Sequence, residues 1–278
     1  YQDQGDWPAA LDCYQRSVDV APHYVRGHYN RGAALASLNR PAEACQAFQQ
    51  AIALAPQYAE AHYGLGMVWQ RMQQWAQAES AYRQALALRP QWAEAASSLG
   101  SLYQAQGKLD QAIAQYQQAV AWAPQYAEAY YNLGTVLKEL GREADAAQRY
   151  RQAIARKPAL ADAHYNLGTV LQALGEREAA MDAYREAIRY RPDYALAHNN
   201  LGNLYKALGR LDEAVACYER ALAVNPQHVE AHNNLGTVLQ QQGHLAQTMQ
   251  HFQQALHADP FSAETHNNLG AAWQELGE

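Results

Sequence analysis

The sequence predicts an all-α fold, a right-handed α-α superhelix of stacked antiparallel helix pairs, and three residue series predict the pairing. Prolines stand at 22, 56, 90, 124, 158, 192, 226 and 260, every interval being 34. Glycines keep the same step at 32, 66, 100, 134, 168, 202, 236 and 270. So does an aromatic: Tyr14, Phe48, Tyr82, Tyr116, Tyr150, Tyr184, Tyr218 and Phe252. Three residue types locked to one period mark an internal repeat, in which each unit packs on its neighbours instead of closing a single core. Composition agrees, since Ala, Gln, Leu and Tyr dominate and Phe occurs only 3 times. Ala loses no side-chain entropy in a helix, and Gln and Leu lose little.

Taken in order, residues 1–24 hold a lone second helix (about 6–20). Seven complete units follow at 25–58, 59–92, 93–126, 127–160, 161–194, 195–228 and 229–262, and residues 263–278 hold a lone first helix (263–276). In the unit 127–160 the first helix is expected from Ala127 to Leu140, and Gly141 stands where a left-handed residue ends it. The second begins near Glu143 and stops before Pro158, because proline cannot continue a helix and biases its predecessor toward extended backbone. Gly134 and its equivalents lack a side chain, which lets the neighbouring helix approach. Ala112, Ala146, Ala180 and Ala214 do the same on the second helix, and the aromatic series fills the space between them. Four residues depart from the pattern. Arg31 replaces Leu, Thr248 replaces the small Ala, and Asn39 and Gln73 replace the turn glycine. Asn tolerates left-handed backbone and Gln does so poorly, so the turn at Gln73–Trp75 is the least determined.

This spacing resembles the tetratricopeptide repeat. Its signature runs through His or Tyr at the fourth position of a unit, Leu-Gly (Leu99-Gly100, Leu133-Gly134, Leu167-Gly168, Leu201-Gly202), Tyr103 or Leu137, and then Ala146, Tyr150, Ala153 and Pro158. The resemblance covers essentially the whole chain. It implies a protein-binding scaffold whose first helices line a concave groove, with positions 2, 5, 6, 9, 12 and 13 facing inward. On that basis the candidate groove residues are Asn30, Asn132, Asn166, Asn200, Asn234 and Asn268 at the sixth position, where Gly64 and Ser98 interrupt the series. Thr135, Thr169, Asn203 and Thr237 follow at the ninth position, and Tyr131, Tyr165, Asn199, Asn233 and Asn267 at the fifth.

A ladder of asparagines offers amide donors and acceptors that match an extended peptide backbone without reading its side chains. It is similar to the groove of O-linked N-acetylglucosamine transferases, and the phrase AHNNLG around Asn200 and Asn234 carries that likeness. The alternative is that these residues cap or bridge adjacent repeats. The acidic series Glu60, Glu94, Glu128, Asp162, Glu230 and Glu264 stands in the first turn of each first helix, where negative charge offsets the helix dipole. His28, His62, His164, His198, His232 and His266 share the fourth position and read as packing residues. Even the closest pair, His228 and His232, brings too few ligands for a metal.

The remaining chemistry narrows the function. A net charge of −6 disfavours a nucleic-acid backbone as ligand. No apolar run reaches the roughly 20 residues that span a bilayer. Cys13, Cys45 and Cys217 are dispersed, which fits a reducing, cytoplasmic setting and no disulfide or zinc framework. No phosphate loop, nucleophile elbow or nucleophile–base pair is found, so no enzymatic activity and no cofactor are expected. The fifth position never holds Lys, which disfavours a carboxylate clamp for chaperone tails. The expected partner is a protein or extended peptide. Alternatives are a substrate-recruiting arm of a larger enzyme such as a glycosyltransferase, and end-to-end self-association through the half-units.

Overall fold

The structure, a computed structural model, describes residues 6–277. Among them there are sixteen α-helices and no strand. They gather into two compact bodies, Tyr1–Leu140 and Gly141–Glu278. The first contains α1 (Trp7–Val20), α2 (Val25–Ser37), α3 (Pro41–Leu54), α4 (Ala59–Arg71), α5 (Trp75–Leu88), α6 (Ala93–Ala105), α7 (Leu109–Trp122) and α8 (Ala127–Glu139). The second contains α9 (Glu143–Arg156), α10 (Ala161–Ala173), α11 (Arg177–Tyr190), α12 (Ala195–Ala207), α13 (Leu211–Val224), α14 (Val229–Gln241), α15 (Leu245–Ala258) and α16 (Ala263–Leu276). The helix expected to reach Leu140 ends one residue earlier, where Leu140 already serves as the C-cap.

The turn from a first helix to its second is one structure repeated. Gly107, Gly141, Gly175, Gly209 and Gly243 take φ between +69° and +79°. The amide two residues past the cap then closes on a carbonyl five residues back, as from Lys108 to Tyr103 or Glu176 to Leu171, each at 2.9 Å. This is the Schellman closure, and it satisfies carbonyls that the helix end leaves orphaned. Asn39 and Gln73 adopt the same geometry at φ 58°. The Gln74 amide reaches the Trp69 carbonyl at 2.9 Å, so Gln73 is forced into the fold that glycine takes freely elsewhere. A further left-handed residue, Gln91 at φ 64°, follows Pro90; nothing in its residue type or spacing announces it.

The core is the aromatic series seated on the glycine series. Tyr82, Tyr116, Tyr184, Tyr218 and Phe252 are all at most 1% exposed. A Cβ built on Gly66 would lie 2.8 Å from Tyr82, on Gly100 2.9 Å from Tyr116, on Gly202 2.7 Å from Tyr218. The glycines therefore make room for a ring on the paired helix and not for its backbone. A glycine inside a helix costs about 0.5–1 kcal/mol, and burying a large apolar side chain returns about 1.5–3 kcal/mol, so the exchange is favourable. Thr248, in place of the usual alanine, is fully buried, and its hydroxyl donates to the His244 carbonyl at 3.1 Å, which removes the penalty of an unpaired polar group.

Candidate peptide-binding face

In each body the first helices touch one another in series: α2 on α4, α4 on α6 and α6 on α8 in the first, α12 on α14 and α14 on α16 in the second. Their sides turned away from the second helices make one surface per body. The candidate residues lie along it at two depths. Asn199 and Asn233 are buried, at 1% and 6% exposure, whereas Asn30, Asn132, Asn166, Asn200, Asn234 and Asn268 are half-buried and Asn267 is exposed.

The depth difference follows from a relay of amides in the second body. Asn268 Nδ2 donates to Asn233 Oδ1 at 3.1 Å, and Asn234 Nδ2 donates to Asn199 Oδ1 at 3.3 Å. Asn200 Nδ2 donates to the Tyr165 hydroxyl at 3.3 Å. Each bond joins the sixth position of one repeat to the fifth position of the preceding one. The fifth-position asparagines thus spend their carbonyls on holding repeats together, as a buried amide must. Each sixth-position amide keeps one N–H for another partner. In the first body the Asn132 side chain makes no hydrogen bond to a described residue, while Thr135 donates to the Tyr131 carbonyl at 3.1 Å. Thr169 and Thr237 return their hydroxyl protons to Asn166 and Asn233 carbonyls at 2.8 Å. The ninth-position threonines therefore present only lone pairs outward.

A second layer lies beneath. Hydroxyls of the core tyrosines reach through to the twelfth position of the first helix: Tyr82 to Gln70 at 2.7 Å, Tyr116 to Gln104 and Tyr184 to Gln172 at 3.1 Å. Burial pushes these phenols up, so they remain protonated donors. In the repeat where Lys206 takes the twelfth position, Tyr218 donates instead to Asn203 Oδ1 at 2.8 Å. Lys206 Nζ then donates to Asn234 Oδ1 at 3.0 Å. Burial holds the Lys206 and Lys138 ammonium groups below the ordinary lysine value. These two lysines were not singled out from the sequence, although their twelfth position pointed inward.

The histidines have a specific structural task. In all six cases Nε2 donates to the carbonyl of the proline six residues earlier, at 2.8 to 3.0 Å: His28 to Pro22, His62 to Pro56, His164 to Pro158, His198 to Pro192, His232 to Pro226 and His266 to Pro260. Each pins the turn that enters its own helix. No group of three or more His, Cys, Asp or Glu among the described residues is placed to hold a metal. Of the acidic series, Asp162 pairs with Arg191 at 2.7 Å and accepts from Tyr194 at 3.0 Å, and Arg191 holds its carboxyl below the usual range. Burial pushes the Cys217 thiol up to about 11, which removes its thiolate at neutral pH.

Known proteins place this architecture. A "TPR repeat" profile matches residues 100–141, 134–175, 170–209 and 202–243, and "Tetratricopeptide repeat" profiles match 1–59 and 59–92. The chain belongs to the tetratricopeptide-repeat family. No curated protein matches it. Among solved structures it is similar to MamA at 26% identity and TM-score 0.56, over 60% of this chain and 97% of that one. YrrB, described as a TPR protein with an unusual peptide-binding site, is 24% identical at TM-score 0.54, over 68% of this chain and 97% of that one. The pilF protein of Pseudomonas aeruginosa is 20% identical at TM-score 0.67, over 75% and 95%. No helix among the described residues is long and apolar enough to cross a membrane.

Proposed function

We propose that this chain is a protein-interaction scaffold whose first-helix face holds a partner's extended segment by its backbone. The observation that carries the reading is unspent hydrogen-bonding capacity on half-buried amides. Asn200, Asn234 and Asn268 each commit one N–H to a neighbouring repeat and keep the other. An extended peptide presents a carbonyl on alternate sides at a regular rise and suits such a row. Lys206 adds a cationic donor whose only hydrogen-bond partner among the described residues is Asn234. A peptide-binding site on YrrB supports the reading by analogy of fold.

Peptides selected from a displayed random library against the purified chain provide the probe. Asn132→Ala and Lys206→Gln are the informative variants, since neither strands a buried acceptor. Asn234→Ala is unsuitable, because it would leave the buried Asn199 carbonyl unpaired at a cost of about 1–3 kcal/mol. Each informative variant is expected to weaken a selected peptide that spans it by roughly fivefold to tenfold, the worth of about one hydrogen bond, with the thermal melt unchanged. Unaltered affinity for both variants would assign the amide row to repeat packing alone.

A further inference from the structure

The polar lining of the first-helix face fails in one place. In the repeat 25–58, Ala33 stands at the ninth position and Ala36 at the twelfth, and Gly64 takes the sixth position of the next repeat. Beneath them the core aromatic is Phe48, which lacks the hydroxyl that Tyr82, Tyr116 and Tyr184 donate to a twelfth-position glutamine. Hydroxyl and acceptor are thus missing together. The Phe48 ring lies under Gly64, where an added Cβ would come within 2.7 Å of its Cζ. The result is a cavity of about 290 Å³ walled by Tyr29, Ala33, Phe48, Tyr63 and Met67, with Arg71 at its edge.

The chemistry of this cavity selects its occupant. Its floor is a phenyl ring and a glycine, so water there finds few partners, and apolar cavities prefer apolar guests. Its volume is below the usual range for a whole drug-sized ligand, about 300–1,000 Å³, and suits a single bulky side chain. Arg71 donates to the Ala36 carbonyl at 2.9 Å and to Asn39 Oδ1 at 3.0 Å. Both partners are neutral, and no carboxylate among the described residues neutralises the guanidinium. The local balance is positive within an acidic chain: Arg26, Arg31, Arg40 and Arg71 stand against Glu43 and Glu60 between residues 25 and 74. Glu43 is already paired with Arg40 and Glu60 with Arg89.

We infer that this cavity is an anchor site for an aromatic side chain of the bound segment, flanked in that segment by a carboxylate that meets Arg71. The inference rests on the reading that the first-helix face holds an extended peptide, and it adds the one place where side-chain identity is read. The amide-lined remainder of the face tolerates many sequences, and this pocket does not.

The test uses the full chain labelled with ¹³C at its methionine methyls. Met67 lines the cavity, while Met181 and Met249 are buried in the second body and serve as references. The probe is acetyl-Gly-Trp-Glu-Gly-amide, compared with its Trp→Ala and Glu→Gln forms. A saturable ring-current shift of the Met67 methyl is expected with the Trp-Glu probe and none with the Ala form. The Gln form should bind about twofold to fivefold more weakly, the worth of one partly exposed ion pair. Arg71→Gln should erase that difference. The double variant Phe48→Tyr, Ala36→Gln rebuilds the hydroxyl–amide pair of the other repeats, fills the cavity and should abolish the shift. A Met67 methyl unmoved at about millimolar probe, an equal response to the Ala form, or full binding by the double variant would overturn the anchor site. The Asn132 and Lys206 variants lie outside the cavity. A Met67 response that persists while those variants leave peptide affinity untouched would therefore remove the backbone reading and keep the pocket.

Discussion

A methyl group on Gly168 would sit 2.6 Å from Cε1 of Tyr184, whereas one on Gly270 meets nothing within 4 Å. Both residues stand mid-helix at the same position of the repeat, so the pair separates packing from helix propensity. Gly168→Ala is expected to destabilise by about 1–3 kcal/mol, because overpacking exceeds the propensity gain of about 0.5–1 kcal/mol. Gly270→Ala should stabilise by about 0.5–1 kcal/mol, with chemical denaturation reading both. Equal signs would show that the glycine series is not there for the ring. The series itself was legible in the sequence, since a period of 34 exposes it. Its local consequences were not: that the neighbour is a ring, or that Gln91 turns left-handed, depends on contacts no single residue type encodes. Gln73 shows the converse, where a residue poor at left-handed backbone adopts it because the Schellman closure on either side fixes the turn.

At the scale of the element, the fourth-position histidine ties helix start to proline carbonyl in six repeats, and one of these rings meets a second, buried histidine, His251, that carries a pH dependence. A carbonyl only accepts, so His232 Nε2 bears a proton toward Pro226 and its Nδ1 is a lone pair. That lone pair faces His251 Nδ1 at 3.0 Å, which must donate. Glu219 and Gln254 line the same hollow. Protonating His251 at Nε2 is opposed by burial, with His232 beside it, and these hold its pKa below 6.5; burial does the same first for His228. The unfolded chain therefore binds protons more readily than the folded one. Stability is full above about pH 6.5 and is lost as pH falls from there through the folded values. The thermal midpoint should fall between pH 7 and 5, and less steeply in His251→Phe; parallel curves would contradict the paired histidines. The sequence indicated a structural histidine at this position, but the carbonyl partner and the second ring required the fold, because His251 lies on another helix.

At the scale of the molecule, a repeat array separates what builds the chain from what it binds. Prolines, glycines and core tyrosines recur because every helix pair must solve the same packing problem, and that is why the fold was readable from periodicity alone. The candidate face obeys no such constraint, so its reading from the sequence was coarser. Of the asparagines expected there, Asn199 and Asn233 lie beneath the face as supports, Asn203 is held by Tyr218, and Lys206 joins the row. The division between supporting and outward amides is a matter of depth, which sequence period cannot supply. The whole reading turns on whether a bound peptide is gripped by its backbone. Affinity of a selected peptide, measured by fluorescence anisotropy after N-methylating its residues one at a time and after replacing its side chains by alanine, decides this. An N-methyl group removes the peptide N–H that would meet a ninth-position threonine lone pair and crowds the adjoining carbonyl, so at alternate residues it should weaken binding by roughly tenfold, while most alanine replacements leave it unchanged. Tolerance of every N-methyl group alongside broad sensitivity to side-chain loss would contradict a backbone-held partner.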